Sequence, residues 1–181
     1  EGQSLADILA DRDVASDFLT AADLVMELIQ RGGARAIYHA MDESDVERIM
    51  QHPSTAIGSD GGVSVFGVGV PHPREYGTFP RVLARYVRER GVLTLEEAVR
   101  KMSGATAQRL GLRQRGLLQE GFYADITVFD PELVSDRATF ESPHQYAVGV
   151  KYVIVNGQLV IDEGEHTGAR PGRVLYGPGR K

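Results

Sequence analysis

Apolar positions recur at helical spacing through the first thirty or so residues. Leu5, Ile8 and Leu9 share one face, and Leu24, Met26, Leu28 and Ile29 follow after Asp17 and Asp23. Gly32-Gly33 predicts the end of the second helix. Ala34 to Ala40 reads as a short strand with Met41-Asp42-Glu43 as its exit loop. Ser44-x-x-Glu47 then predicts a capping box that opens a helix through Met50, ended by Pro53. A second apolar run, Ala56-Ile57, stops abruptly in Gly58-Ser59-Asp60-Gly61-Gly62. It reads as a buried strand whose C-terminal end delivers Asp60. Strand, helix and strand in such close succession predict adjacent parallel strands of a βαβ unit.

From Gly61 to Gly77 the chain is rich in Gly and Pro, with isolated apolar residues at Val63, Phe66, Val68 and Val70. A connection this long after a strand predicts a functional loop. Pro80 predicts a helix start, with Val82, Leu83, Tyr86 and Val87 as its apolar stripe and Gly91 as its stop. Thr94-Leu95-Glu96-Glu97 predicts a second capping box, and Ala105 to Leu110 a further short helix. After Arg115 the period changes. Gly121 to Asp130 alternates and is rich in β-branched and aromatic residues, which predicts a strand. Val150 to Val155, Asn156-Gly157 and Gln158 to Ile161 predict a β-hairpin. The tail from Gly164 is expected to be extended coil. The organisation is a helix-rich α/β part over 1–112 and a smaller β part over 113–181.

Composition narrows the partners. The 181 residues, 42% hydrophobic and 25% charged, suffice for one core or two small ones. A formal charge of -5 with no basic cluster weighs against nucleic acid and anionic membranes as partners. No apolar run is long enough to span a bilayer and no signal-peptide pattern opens the chain, so a cytoplasmic location is the expectation. The chain has no Cys, which excludes disulfides, thiol catalysis and thiolate metal sites. Residue 1 is Glu, and only helical material precedes the first strand. A parallel strand needs neighbours and covering helices, so the chain is expected to begin partway through a larger fold.

Asp60 is the leading candidate for chemistry, because residues at the C-terminal ends of barrel strands are the reactive ones. Equally, Asp-Gly is a turn signal in which the carboxylate serves its own loop. Of the five His at 39, 52, 72, 144 and 166, none has metal-binding spacing. His39 reads as structural and His52 as a helix cap. Arg74, beside His72 and Pro73, could grip a substrate carboxylate or stand solvated. Tyr38 and Met41 surround the end of the strand before Asp60, as core or as pocket wall. Gly67-Val68-Gly69 lacks the strand-then-helix setting of a nucleotide loop.

Several blocks together resemble one family. They are Ile57-Gly58-Ser59-Asp60-Gly61, Pro71-His72-Pro73-Arg74-x-Tyr76-Gly77-Thr78-Phe79-Pro80-Arg81-Val82-Leu83, Leu95 to Met102, Gly121-x-x-Ala124-Asp125-Ile126-x-Val128-Phe129-Asp130 and Val155-Asn156-Gly157. In this order they look like the C-terminal third of the N-acyl-D-amino-acid deacylases, the D-aminoacylases of the amidohydrolase superfamily. The resemblance implies an α/β fold: the last strands and helices of a (β/α)8 metal-dependent hydrolase barrel, followed by part of a small β-sandwich. It implies hydrolysis of an N-acyl-D-amino acid to a D-amino acid and a carboxylate at a zinc centre. Asp60 would contact the zinc and act as general acid and base; Tyr38 and Met41 would line the substrate pocket. The other zinc ligands of that family lie on strands absent here, so this chain alone is not expected to turn over substrate. Pairing with the missing N-terminal portion, or with a copy of itself, would complete its open edges. A cyclic-amide amidohydrolase of the dihydropyrimidinase or dihydroorotase type, and a non-catalytic self-associating remnant, are the alternatives.

Overall fold

Short polar side chains at the head of four apolar-periodic runs set where those helices begin. A computed structural model describes residues 2–33 and 36–176. Ser4 and Asp7 form a reciprocal capping box that starts α1, Leu5–Asp11. Asp17 accepts from the Thr20 N–H and starts α2, Phe18–Gln30. These two helices bury Leu9 and Leu24. The third helix, α3, runs Glu43–Gln51, and its cap is Asp42 rather than the predicted Ser44. The Asp42 carboxylate accepts from the Ser44 N–H at 2.8 Å and also suits the positive end of the helix dipole. His52 caps its C-terminal end as expected.

The two predicted barrel strands are not strands here. Residues 36–40 and 55–61 run without ladder partners, and Ala34 and Arg35 lie outside the described residues. A parallel strand exists only with a neighbour to bond, and among the described residues none flanks either stretch. Ile57 donates its N–H to the carbonyl of Lys101, at 3.2 Å, instead.

The helix predicted to start at Pro80 starts six residues earlier. It is α4, Arg74–Arg81, and Pro80 lies inside it. Proline removes a backbone donor and crowds the preceding turn. The chain answers by widening directly into a π-helix, Val82–Glu89, closed by the Arg90 N–H on the Arg85 carbonyl at 2.9 Å. Thr94 caps α5, Leu95–Met102, and α6 follows at Gly104–Arg109.

Four strands form one antiparallel sheet in chain order: β1 Ile126–Phe129, β2 Val150–Val155, β3 Gln158–Asp162 and β4 Glu165–His166. Asn156 and Gly157 both take positive φ, 48° and 79°, the conformation a two-residue hairpin turn requires. The tail expected as coil contributes β4, because Glu163 and Gly164 repeat that turn at φ 46° and 90°. The core joins the two halves of the chain. Val82, Leu83, Tyr86, Leu93 and Ala98 pack with Val134, while Ile57, Phe129 and Val150 lean against them. No helix among the described residues is long and apolar enough to cross a membrane.

Candidate functional site

Asp60 stands in the left-handed region, φ 48°, which Asp tolerates better than most residues. The turn geometry expected of Asp-Gly is therefore real, and it aims the carboxylate outward. The side chain is 87% exposed, and its Oδ2 lies 3.0 Å from a guanidinium nitrogen of Arg74. Gly61 permits this meeting. A Cβ there would come within 3.1 Å of the Glu75 Cα and 3.3 Å of the Arg74 carbonyl oxygen, so a side chain would have to push the first turn of α4 back by a few tenths of an ångström, and glycine lets the loop lie against it undisturbed. Glu75 secures the same loop from the helix side, because its carboxylate accepts from the Ser64 hydroxyl.

His72 completes this turn. Its Nδ1 accepts from the Arg74 N–H at 3.0 Å, and its ring meets Phe140 edge-on at 5.2 Å. Burial holds the imidazole below its ordinary pKa, reinforced by the Arg74 charge and partly offset by Glu75 and Asp60. His39 rests on the other side of Phe140, with ring centroids 4.7 Å apart, which suits its structural reading. Tyr38 and Met41 are 84% and 79% exposed, so neither belongs to the core of this chain. A cavity of about 440 Å³ lies between Arg113, Arg115, Tyr123 and the tail, and neither Asp60, Arg74, Tyr38 nor Met41 lines it.

The sequence reading gave no role to three residues that shape this region: Glu75, Phe140 and His144. The His144 Nδ1 accepts from the Gly67 N–H at 3.1 Å and from the Tyr76 hydroxyl at 2.9 Å, while its Nε2 donates to the Gly69 carbonyl at 3.0 Å. Phe66 meets this ring tilted at 5.5 Å and Tyr76 meets it edge-on at 5.7 Å, while Tyr146 stacks on Phe66, so the cluster pins the Gly-rich loop that follows Asp60. The pairing spans from residue 67 to residue 144, and no local pattern announces it.

A metal finds little to hold it within this chain. Among the described residues no group of three or more His, Cys, Asp or Glu could hold an ion. Catalytic zinc sites use about three protein ligands, and Asp60 offers one carboxylate. These residues do not fit a zinc ion unaided.

The profile of the amidohydrolase family matches residues 3–161. The chain belongs to the amidohydrolase family. This amidohydrolase is 48% identical over 174 residues to the D-aminoacylase of Alcaligenes xylosoxydans xylosoxydans, an alignment covering 96% of this chain and 34% of that enzyme. A solved D-aminoacylase with a binuclear metal centre superposes with TM-score 0.82 at 46% identity, over 96% of this chain and 34% of its own. The N-acyl-D-glutamate deacylase of Bordetella bronchiseptica was solved with zinc and a phosphonate mimic of the tetrahedral intermediate. It superposes with TM-score 0.77 at 44% identity, over 96% and 34%. These relatives are hydrolases, and this amidohydrolase spans about a third of the length of the curated relatives it matches. The sequence resemblance to the deacylases therefore holds, as does a mixed α/β fold of the amidohydrolase type.

Proposed function

We propose that this chain is the C-terminal portion of a zinc-dependent N-acyl-D-amino-acid deacylase, which hydrolyses the acyl amide to a D-amino acid and a carboxylate. The observation that carries the reading is 48% identity to a D-aminoacylase sustained over 96% of the chain. Residues 1–112 would supply the last part of the barrel and residues 113–181 part of the β-sandwich. In the complete protein Asp60 is the general acid and base: it takes the proton of the attacking water and returns it to the leaving nitrogen. Its carboxylate, paired with Arg74 but 87% exposed, would face a substrate held by the rest of the protein.

Arg74 binds the substrate carboxylate. Its guanidinium has five donors in a rigid fork, enough to serve Asp60 and a second anion together. Tyr38 and Met41, exposed on this chain, become apolar wall against the substrate side chain once the remaining protein covers them. Zinc supplies the acidification of the water in the complete protein. Asp60 is the one ligand this chain would contribute, and the others come from outside it. A dihydroorotase is 32% identical over 57% of the chain, against 48% over 96% for a D-aminoacylase, so the linear N-acyl reading is favoured over the cyclic-amide alternative.

The test is Asp60→Asn in the complete protein. Asn tolerates the same backbone conformation and keeps the shape but cannot carry the proton. Turnover of N-acyl-D-amino acids is expected to fall by roughly 10²- to 10⁴-fold, the usual contribution of a positioned acid–base group, with the melting temperature unchanged. Normal turnover by that variant would refute the assignment.

A further inference from the structure

The side chain of Lys101 is fully buried, at 0% relative exposure. It is the penultimate residue of α5, and both of its ends are occupied by the same piece of chain. Its Nζ donates to the His52 carbonyl at 2.5 Å and to the Thr55 carbonyl at 3.2 Å. Its own carbonyl oxygen accepts the Ile57 N–H at 3.2 Å. Residues 52–57 are thus clasped at three points by one lysine, and they lead straight to Asp60. The third donor of the ammonium faces Glu97 Oε1 at 3.5 Å. Glu97 is pushed down to about 2, chiefly by the hydrogen bond from Arg100 and further by Lys101, so it is an anion at any working pH.

Stability does not explain a lysine here. Replacing a buried ion pair by an apolar residue of similar volume is often neutral or stabilising. What the ammonium supplies is direction. The His52 carbonyl already accepts the Thr55 N–H at 3.0 Å, and both the His52 and Thr55 carbonyls face one point only if residues 52–55 keep that turn. No ladder bonds hold the approach to Asp60: Lys101, with Arg100 on the Pro53 carbonyl at 2.9 Å and Thr55 on the Ile49 carbonyl at 2.7 Å, fixes it from one side, and the Gly61–α4 contact with Arg74 from the other.

We infer that Lys101 is a positioning residue for Asp60, setting the backbone path that presents the carboxylate to the reacting bond. The inference rests on the acid–base role proposed above for Asp60. Lys101 touches no substrate and acts only through residues 52–57.

The test compares Lys101→Met, Lys101→Arg and Asp60→Asn in the complete protein, by steady-state kinetics and by amide hydrogen exchange. For Lys101→Met, kcat is expected to fall about 10²-fold, the cost of displacing a catalytic group by roughly 1 Å, with KM within about twofold. Exchange at residues 55–60 is expected to rise about tenfold with α4 unaffected. Lys101→Arg keeps the charge but cannot seat its planar fork on both carbonyls, so it shows the same kcat-only loss in smaller degree. It also carries the test if the methionine variant fails to fold. Wild-type exchange at residues 55–60, or kcat within about twofold of wild type in the folded variants, overturns the inference. Loss of KM and kcat in equal measure also overturns it. Normal turnover by Asp60→Asn would instead refute the acid–base reading, and the exchange data would still judge the lysine.

Discussion

Arg74 is held in three ways at once. Its N–H caps His72, its guanidinium meets Asp60, and its carbonyl accepts the Thr78 hydroxyl at 3.0 Å. An exposed pair such as Arg74–Asp60 contributes about 0–1 kcal/mol, so its value is orientation rather than stability. Arg74→Met in the complete protein is therefore expected to leave the melting temperature in place. KM for an N-acyl-D-amino acid should rise roughly 10- to 100-fold, the weight of a charged hydrogen bond of about 1.5–3 kcal/mol. Unchanged KM in a steady-state assay would remove Arg74 from the site. The turn at Asp60 was legible from the glycines that follow it, and its backbone at φ 48° bears that reading out. Glu75, Phe140 and His144 were not legible, since each acts on residues brought near only by the folded chain.

At the level of elements, capping chemistry read well and strand pairing did not. Thr94 starts the helix that its capping box predicts, and the Ser44 box misses its start only because Asp42 takes the cap, while the caps of Ser4 and Asp17 were not read from the sequence. Asn156-Gly157 likewise encodes its own turn. The Asn156 side chain adds a clasp that the sequence did not disclose: its Oδ1 accepts from Arg115 at 2.6 Å and its Nδ2 donates to the Pro171 carbonyl at 2.7 Å. Asn156→Ala loses both and puts a residue less tolerant than Asn of the left-handed region into the turn. Denaturant unfolding is expected to show a loss of about 2–3 kcal/mol. Asn156→Gly, free of the backbone penalty, should lose less. The π-helix was hidden because Pro80 looks like a beginning wherever helical pattern follows it. The segments 36–40 and 55–61 looked like strands because their composition suits a ladder, yet among the described residues no neighbour pairs with either.

Across the whole molecule, one core binds the helical and β parts, with Val134 buried among residues of the π-helix and α5. Outside it, large apolar side chains stand in water, Phe18 at 85% exposure and Val63 at 104% among them. Exposed apolar surface of this kind marks contact with something further. We propose that the remaining two-thirds of a deacylase-length protein covers it, with a second copy of the chain as the competing occupant. The incomplete donor set makes a separate prediction. Titration calorimetry of this chain alone should find zinc binding no tighter than the micromolar range, because among the described residues no group of three or more His, Cys, Asp or Glu gathers to hold an ion. Nanomolar affinity would mean that the chain assembles a centre of its own.

The left-handed backbone at residue 60 has a bearing on ancestry. Glycine or asparagine, which that position accepts in comfort, would remove the carboxylate that the proposed reaction needs while leaving the loop content or more relaxed. A descendant released from selection for chemistry could therefore lose its reaction in one step and remain a well-formed protein.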